Sequence, residues 1–228
     1  SVADFYKLEK LNPAYSVYFE DEKIDIADNL EDIYSTFENE EKGSSKALKQ
    51  FIADAKSNYD VAIKDLVYRP GISLLELVTP KTVTKLGQFF SNVSKEVRKK
   101  VKNPKLVSIL EFPVLFLGAK PSNTPAFYNF MNYADFGLGT WQPKGGMHKV
   151  ILSMESLAKS LGVEIKVNSP VSKINTKDNK ITGVTINGQE LKFDIVLSGA
   201  DYHHTETLLK TNEKQYSESY WDKKTFAP

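Results

Sequence analysis

The stretch from Trp141 to Asp201 limits the fold more than any other part of this chain, because its apolar period changes from helical to strand-like behind two adjacent glycines. Trp141 and Pro143 lead through Gly145 and Gly146 to Met147. Paired glycines allow torsions and close backbone approaches that a side chain forbids. A helix behind them turns its free N–H groups and positive dipole end toward whatever occupies the turn. Taken alone, the same residues equally describe a loop that starts a helix. Met147, Val150, Ile151, Met154, Leu157, Ala158 and Leu161 predict an apolar helical face that ends at Gly162. Val163 to Val167 then alternates as a strand. Val171 to Ile174, Ile181 to Ile186 and Phe193 to Ala200 continue as further strands, with a turn at Asn187-Gly188.

The N-terminal part reads as a hairpin, Tyr15 to Phe19 and Lys23 to Ala27, joined at Glu20-Asp21-Glu22. Asn29 is placed to cap a short helix over Leu30, Ile33, Tyr34 and Phe37. Leu48, Phe51, Ile52, Ala55, Tyr59, Ala62, Ile63 and Leu66 predict a long amphipathic helix that Arg69-Pro70-Gly71 breaks. Further helices are expected from Pro80 to Phe90, Ser91 to Val101 and Pro104 to about Gly118. No internal repeat or low-complexity linker interrupts the chain.

The W-x-P-K-G-G-M turn, the helix ending in Leu161-Gly162-Val163, the V-x-x-I strand, the Gly-x-x-hydrophobic meander and the run Asp194 to His204 (DIVLSGADYHH) together resemble the bacterial-type phytoene desaturases of the flavin amine-oxidase superfamily. Leu11-Asn12-Pro13-Ala14-Tyr15, Val17-Tyr18-Phe19 and Ile24-Asp25-Ile26 are similar to the segment after that family's first flavin-binding region. Tyr220 to Lys224, with Ala227-Pro228, is similar to it as well. The resemblance is closest from Pro125 to Leu209 and implies the central part of a longer FAD-dependent enzyme that desaturates phytoene or a related carotenoid.

The implied fold class is α+β, within the α/β flavoprotein superfamily: a mostly helical substrate-binding cap with a hairpin over 1–139, a return helix and incomplete flavin-domain β-meander over 140–210, and the start of another substrate-domain segment over 211–228. The resemblance puts Gly145, Gly146 and Met147 near the flavin ring and Val171 where a strand backbone meets the adenine. A G-x-G-x-x-G turn, which needs a strand before it and a helix after it, does not occur in these residues. The isolated chain is therefore expected to hold FAD weakly or not at all. A carotenoid isomerase, a saturase or a non-catalytic lipid-binding module are the alternatives.

A polyene offers neither charge nor hydrogen bonds, so only flat apolar walls can hold it. Six aromatics lie between Phe127 and Trp141; of these Phe127, Tyr128, Phe136 and Trp141 are the expected walls, although core packing explains such clusters equally well. His148 is a candidate proton acceptor or else a surface histidine. His203 and His204 lack a second set of ligands at metal spacing, so no metal site is expected, and Asp201 is placed to cap the next helix. With no cysteine, thiol chemistry and Cys-ligated metals are excluded.

Charge is segregated along the chain. Residues 1–60 carry 7 Lys/Arg against 14 Asp/Glu, and residues 61–120 carry 11 against 4. Lys95, Arg98, Lys99, Lys100, Lys102 and Lys105 form a basic run opposed by Glu96. Such a run suits a solvated helix face or an anionic membrane surface; with no nucleic-acid motif beside it, nucleic acid is not expected. Leu106 to Ala119 is the most apolar stretch, too short for a bilayer span and suited to a core helix, a tunnel wall or a shallow membrane dip. A cytoplasmic, peripherally membrane-associated protein is the expectation.

Overall fold

The computed structural model describes residues 2–70, 72–73, 80–83 and 85–225. Gly71, Thr84, Ala227 and Pro228, which enter the expectations above, lie outside them. The chain forms two compact units, Ser1–Met154 and Glu155–Pro228, with a mixed α+β composition and small antiparallel sheets.

In the first unit, β1 (Leu8–Lys10) leads to the hairpin β2 (Tyr15–Tyr18) and β3 (Lys23–Ile26), in which Tyr15 faces Ile26 and Tyr18 faces Lys23. Alternation along β3 buries Ile24 and Ile26 while Lys23 and Asp25 face out. Helix α1 (Leu30–Glu40) starts where expected: the Asn29 side chain accepts a hydrogen bond from the Asp32 backbone N–H at 2.9 Å. Helix α2 (Ser44–Lys64) carries the long amphipathic period and buries Leu48, Phe51, Ile52, Ala55 and Val61.

The expected helix from Pro80 to Phe90 divides into α3 (Pro80–Val83) and α4 (Leu86–Phe90). Next come α5 (Val93–Lys100) and α6 (Pro104–Glu111), each capped by the side chain of the preceding asparagine, Asn92 and Asn103. The expected continuation of α6 to Gly118 is instead 3-10 helix over Phe112–Leu117, because Pro113 has no N–H to extend the α-helical ladder. Ile24, Ile33, Phe37, Leu48, Phe51, Val97, Leu106, Leu110 and Phe136 meet in one core. Ile33, Phe37, Leu48 and Phe51 come from the helical faces that the periodicity identifies, whereas Phe136, expected as a polyene wall, is a core residue; a buried residue of this kind contributes about 1.5–3 kcal/mol by the transfer scale.

Helix α7 (Phe130–Asn132) runs into a π-helical turn over Tyr133–Gly137, and β4 (Trp141–Pro143) follows. β4 pairs antiparallel with β1, Leu8 opposite Pro143 and Lys10 opposite Trp141. Neither the π turn nor this long-range pairing is visible as a pattern in the sequence. The pairing attaches residues 141–143 to the start of the chain, so the first compact unit extends past the expected boundary at 139 into α8 (His148–Ser160).

In the second unit β5 (Val171–Lys177), β6 (Lys180–Ile186) and β7 (Gln189–Lys192) make the expected meander. Asn187 and Gly188 both take positive φ at the β6–β7 turn. Gly183 has no room for a side chain, since a Cβ there would sit 1.9 Å from the Leu191 carbonyl oxygen. Asp201 caps α9 (Tyr202–Thr207), its carboxylate accepting from the His204 N–H at 3.1 Å. Helix α10 (Glu218–Trp221) closes the unit.

Two sequence expectations fail here. Val163 to Val167 and Phe193 to Ala200 are not strands: neither segment enters a named ladder. Their apolar side chains are open to solvent, Ile195 at 85% and Leu197 at 95% exposure. Alternation specifies a strand's two faces but not its neighbour, and a parallel neighbour comes from chain remote in sequence. The apolar face expected of α8 exists, yet Met147, Ile151, Met154, Leu157 and Leu161 are likewise exposed.

Candidate functional site

The glycine turn follows β4 directly. The Lys144 N–H donates to the Lys7 carbonyl at 2.8 Å, which carries the β1–β4 pairing up to the turn. Gly145 and Gly146 then adopt φ of +88° and +89°, and the Gly146 N–H closes on the Pro143 carbonyl at 2.9 Å. Two consecutive left-handed residues explain why both are glycine. A Cβ on Gly146 would meet nothing within 4 Å, whereas one on Gly145 would come to 3.1 Å from the Lys149 side chain. Backbone torsion, rather than crowding inside this chain, is thus what Gly146 satisfies. The result is an open cradle of backbone in front of the N-terminus of α8, with Met147 and His148 exposed beside it. These residues fit the approach of a flat or anionic group.

The same unit contains two apolar grooves of ≈ 600 and ≈ 610 Å³. Tyr15 and Phe112 line both, their ring centroids 6.3 Å apart, so that one aromatic wall separates the two volumes. Val17, Ile109 and Leu115 continue the first groove; Tyr59, Phe116, Phe130 and Met131 continue the second, which ends at Gly139 and Thr140, just before β4. The 3-10 segment supplies the wall, and its outward side chains are apolar too: Phe116 is 76% exposed. Volumes of this size, lined this way, are typical of sites for small apolar ligands.

Asp135 is the one carboxylate among the residues lining the second groove. Tyr15 donates its hydroxyl hydrogen to Asp135 Oδ2 at 2.7 Å. Burial pushes the Asp135 carboxyl above the usual carboxylate range, with the Tyr15 hydrogen bond opposing it. Burial, and the charge and hydrogen bond of Asp135, hold the Tyr15 hydroxyl far above the ordinary phenol range, so it stays a donor.

The structure distributes the expected wall residues differently from the grooves. Phe127 is buried, stacked on Phe89 at 4.9 Å and edge-on to Phe130 at 5.9 Å. Phe136 is buried edge-on against Phe37 at 6.1 Å. Tyr128 packs against the main core, and Trp141 stands 51% exposed on β4 with its indole N–H donating to the Leu138 carbonyl. None of the four lines either groove. Their neighbours Phe130 and Met131 do, joined by Phe112 and Phe116 and by Tyr15 and Tyr59, which carry no site signal in the sequence. Phe112 and Phe116 lay in the apolar stretch considered as a tunnel wall; nothing in sequence spacing connects them to Tyr15. Val171 opens β5 in the second unit, partly exposed.

Much of the basic run is internally compensated. Arg98 pairs with Glu111, Lys99 with Glu96, and Lys105 with Asp21 and Glu22. Among the described residues no group of acids and histidines is arranged to hold a metal, and no helix is long and apolar enough to cross a membrane.

Residues 14–223 match the model of the flavin containing amine oxidoreductases. The chain is 32% identical over 230 residues to the carotenoid 3,4-desaturase of Haloarcula japonica, covering 99% of this chain and 46% of that protein. It is 28% identical over 249 residues to the phytoene desaturase of Phycomyces blakesleeanus, covering 100% and 42%, and 27% identical over 225 residues to the zeta-carotene-forming phytoene desaturase of Myxococcus xanthus, covering 93% and 44%. It therefore spans less than half the length of each of these relatives. With a match over nearly all its residues, this chain belongs to the flavin containing amine oxidoreductase family, as a member similar to carotenoid desaturases.

Proposed function

We propose that the chain is the substrate-binding centre of an FAD-dependent carotenoid desaturase, with phytoene or a close derivative as substrate. The observation that carries this reading is the pair of apolar grooves sharing the Tyr15–Phe112 wall, in the same unit as the open glycine cradle. A long hydrocarbon needs extended flat walls, which the aromatic and aliphatic residues of the grooves supply, with one carboxylate in each lining, Glu111 in the first and Asp135 in the second. Gly145, Gly146 and Met147 would hold the flavin side of FAD, and Val171 the adenine side. When bound, the flavin supplies the two-electron oxidation that removes hydride from an allylic carbon. The chain's residues orient the polyene along the wall and exclude water from it. Phe112, Leu115, Phe116 and Leu117, all at least 45% exposed, form an apolar prow beside the grooves through which a lipid-dissolved substrate enters from a peripheral membrane contact.

The test is Gly146→Val in the full-length protein, with flavin content, thermal midpoint and carotenoid products measured on one preparation. Strain from forcing a β-branched residue to positive φ costs about 1–2 kcal/mol. A folded variant is expected to lose flavin or desaturation completely. Wild-type conversion in a folded, flavin-loaded variant would remove the cradle from the site.

A further inference from the structure

We propose that Asp135 is the proton acceptor of the desaturation step. The proposal rests on the reading above, and three observations support it. First, Asp135 is the one carboxylate among the residues lining a groove that is otherwise, apart from Gly139 and Thr140, aromatic and aliphatic. Second, Tyr15 occupies Oδ2, while among the described residues nothing donates to Oδ1. Third, the residue sits on the π-helical turn Tyr133–Gly137, anchored by the Gly139 N–H donating to the Asp135 carbonyl at 3.1 Å. Such turns cost regular hydrogen bonding and recur at functional sites. A half-desolvated carboxylate with one phenol partner is also a poor source of stability. Its presence in an apolar groove points to chemistry.

The chemistry needs such a group. Forming C=C from two neighbouring C–H bonds breaks one with both electrons leaving as hydride, the oxidant being the flavin of the proposed holoenzyme. The electrons of the other C–H bond become the new π bond, and its proton goes to Asp135 Oδ1, converting carboxylate to carboxyl. Loss of hydride leaves positive charge on the chain, which acidifies the neighbouring C–H and which a carboxylate stabilises. Partial burial makes Asp135 a stronger base than a solvated aspartate. Tyr15 fixes Oδ2, and Oδ1 of this groove-lining residue has no donor among the described residues.

The variants are Asp135→Asn, Asp135→Glu and Tyr15→Phe in the full-length flavoprotein, with phytoene and lycopene in phosphatidylcholine vesicles as probes. Asp135→Asn is expected to lower kcat about 10²–10⁴-fold, the range of general-base catalysis, while polyene binding by fluorescence quenching changes by less than about twofold, the pattern of a group used only in the transition state. Asp135→Glu should recover part of the rate. Among the described residues, other titratable groups around this pair are Tyr59 from α2 in the same groove, Glu111 in the groove across the Tyr15–Phe112 wall and Lys10 beside Gly139.

A second readout needs no turnover. The infrared carboxyl signal lost in Asp135→Asn should titrate at higher pH in Tyr15→Phe, because the Tyr15 hydrogen bond favours the charged form. The acid limb of kcat should move the same way. Wild-type conversion by Asp135→Asn at every pH, or an acid limb that survives in Asp135→Asn and disappears in His148→Gln, overturns the assignment. Wild-type protein that binds neither polyene instead removes the reading beneath it.

Discussion

The two units of this chain satisfy their apolar residues to different degrees. In Ser1–Met154 the hairpin and helices bury Phe37, Leu48, Val97 and Leu110 completely, at 0% exposure. In Glu155–Pro228 the meander buries Ile174 and Val184, while Ile195 and Leu197 lie open. The contrast follows from how each element finds its partners. Amphipathic helices and hairpins meet neighbours close in sequence, and the first unit contains them. A strand of a parallel sheet depends on distant chain, and the relatives are more than twice as long as the segment they share with this protein.

Paired substitutions test that contrast. Phe37→Ala should destabilise this chain by about 3–5 kcal/mol, whereas Leu197→Ala should stay within about 0.5 kcal/mol, both by urea unfolding. Equal losses would show that Leu197 is packed and the contrast false; in the full-length protein Leu197→Ala should become costly.

Buried polar groups give a smaller difference. Asn58 is completely buried in the first unit and donates to Asn129 Oδ1 at 2.7 Å, so Asn58→Ala should cost about 1–3 kcal/mol. Asn175 in the second unit donates to Thr185 Oγ1 at 3.1 Å from a partly exposed position, and Asn175→Ala should cost about 0.5–1 kcal/mol.

The proposed membrane contact offers a further comparison of the units. Lys95→Glu with Lys100→Glu should weaken full-length binding to phosphatidylserine vesicles by about 1 kcal/mol per residue. Lys177→Glu with Lys180→Glu in the second unit should leave vesicle binding unchanged. Loss in the second pair alone would move the membrane face.

The subtlest test is pH. Burial opposes ionisation of Glu206, but hydrogen bonds from Trp221 and from the Gln215 and Tyr216 N–H groups outweigh it and hold its carboxyl below the usual range. Its contribution is therefore complete above the ordinary glutamate range and is lost as pH falls through its lower folded value. Asp135 runs the other way: raised in the fold, it favours the folded state at acid pH, and that advantage is lost as pH rises through its folded value. Trp221 fluorescence in a Trp141→Phe background, followed against pH in Glu206→Gln and Asp135→Asn, should show opposite changes in slope.

Much of the fold was legible because its signals are local. The Asn29 and Asp201 caps, the period of α2 and the Asn187-Gly188 turn each lie within a few residues and were read correctly. The glycine turn was equally visible as a pair of residues without side chains. The grooves were not, because Tyr15, Phe112 and Asp135 come together only through tertiary packing. The aromatic cluster near Phe127 drew attention by density, yet density alone does not distinguish a core such as Phe127–Phe89 from a lining such as Phe130. Pairing of residues 8–10 with 141–143 carries no motif at all.

That last pairing has an architectural consequence. With β1 and β4 side by side, the chain enters and leaves the 130 intervening residues, 11–140, at nearly one point. An element whose entry and exit adjoin can be inserted into, or exchanged within, a host fold while disturbing little of the host backbone. The groove-bearing region is thus a replaceable cassette clipped by two three-residue strands, and variation in the groove lining can arise inside the clip while the glycine cradle just outside it keeps its geometry.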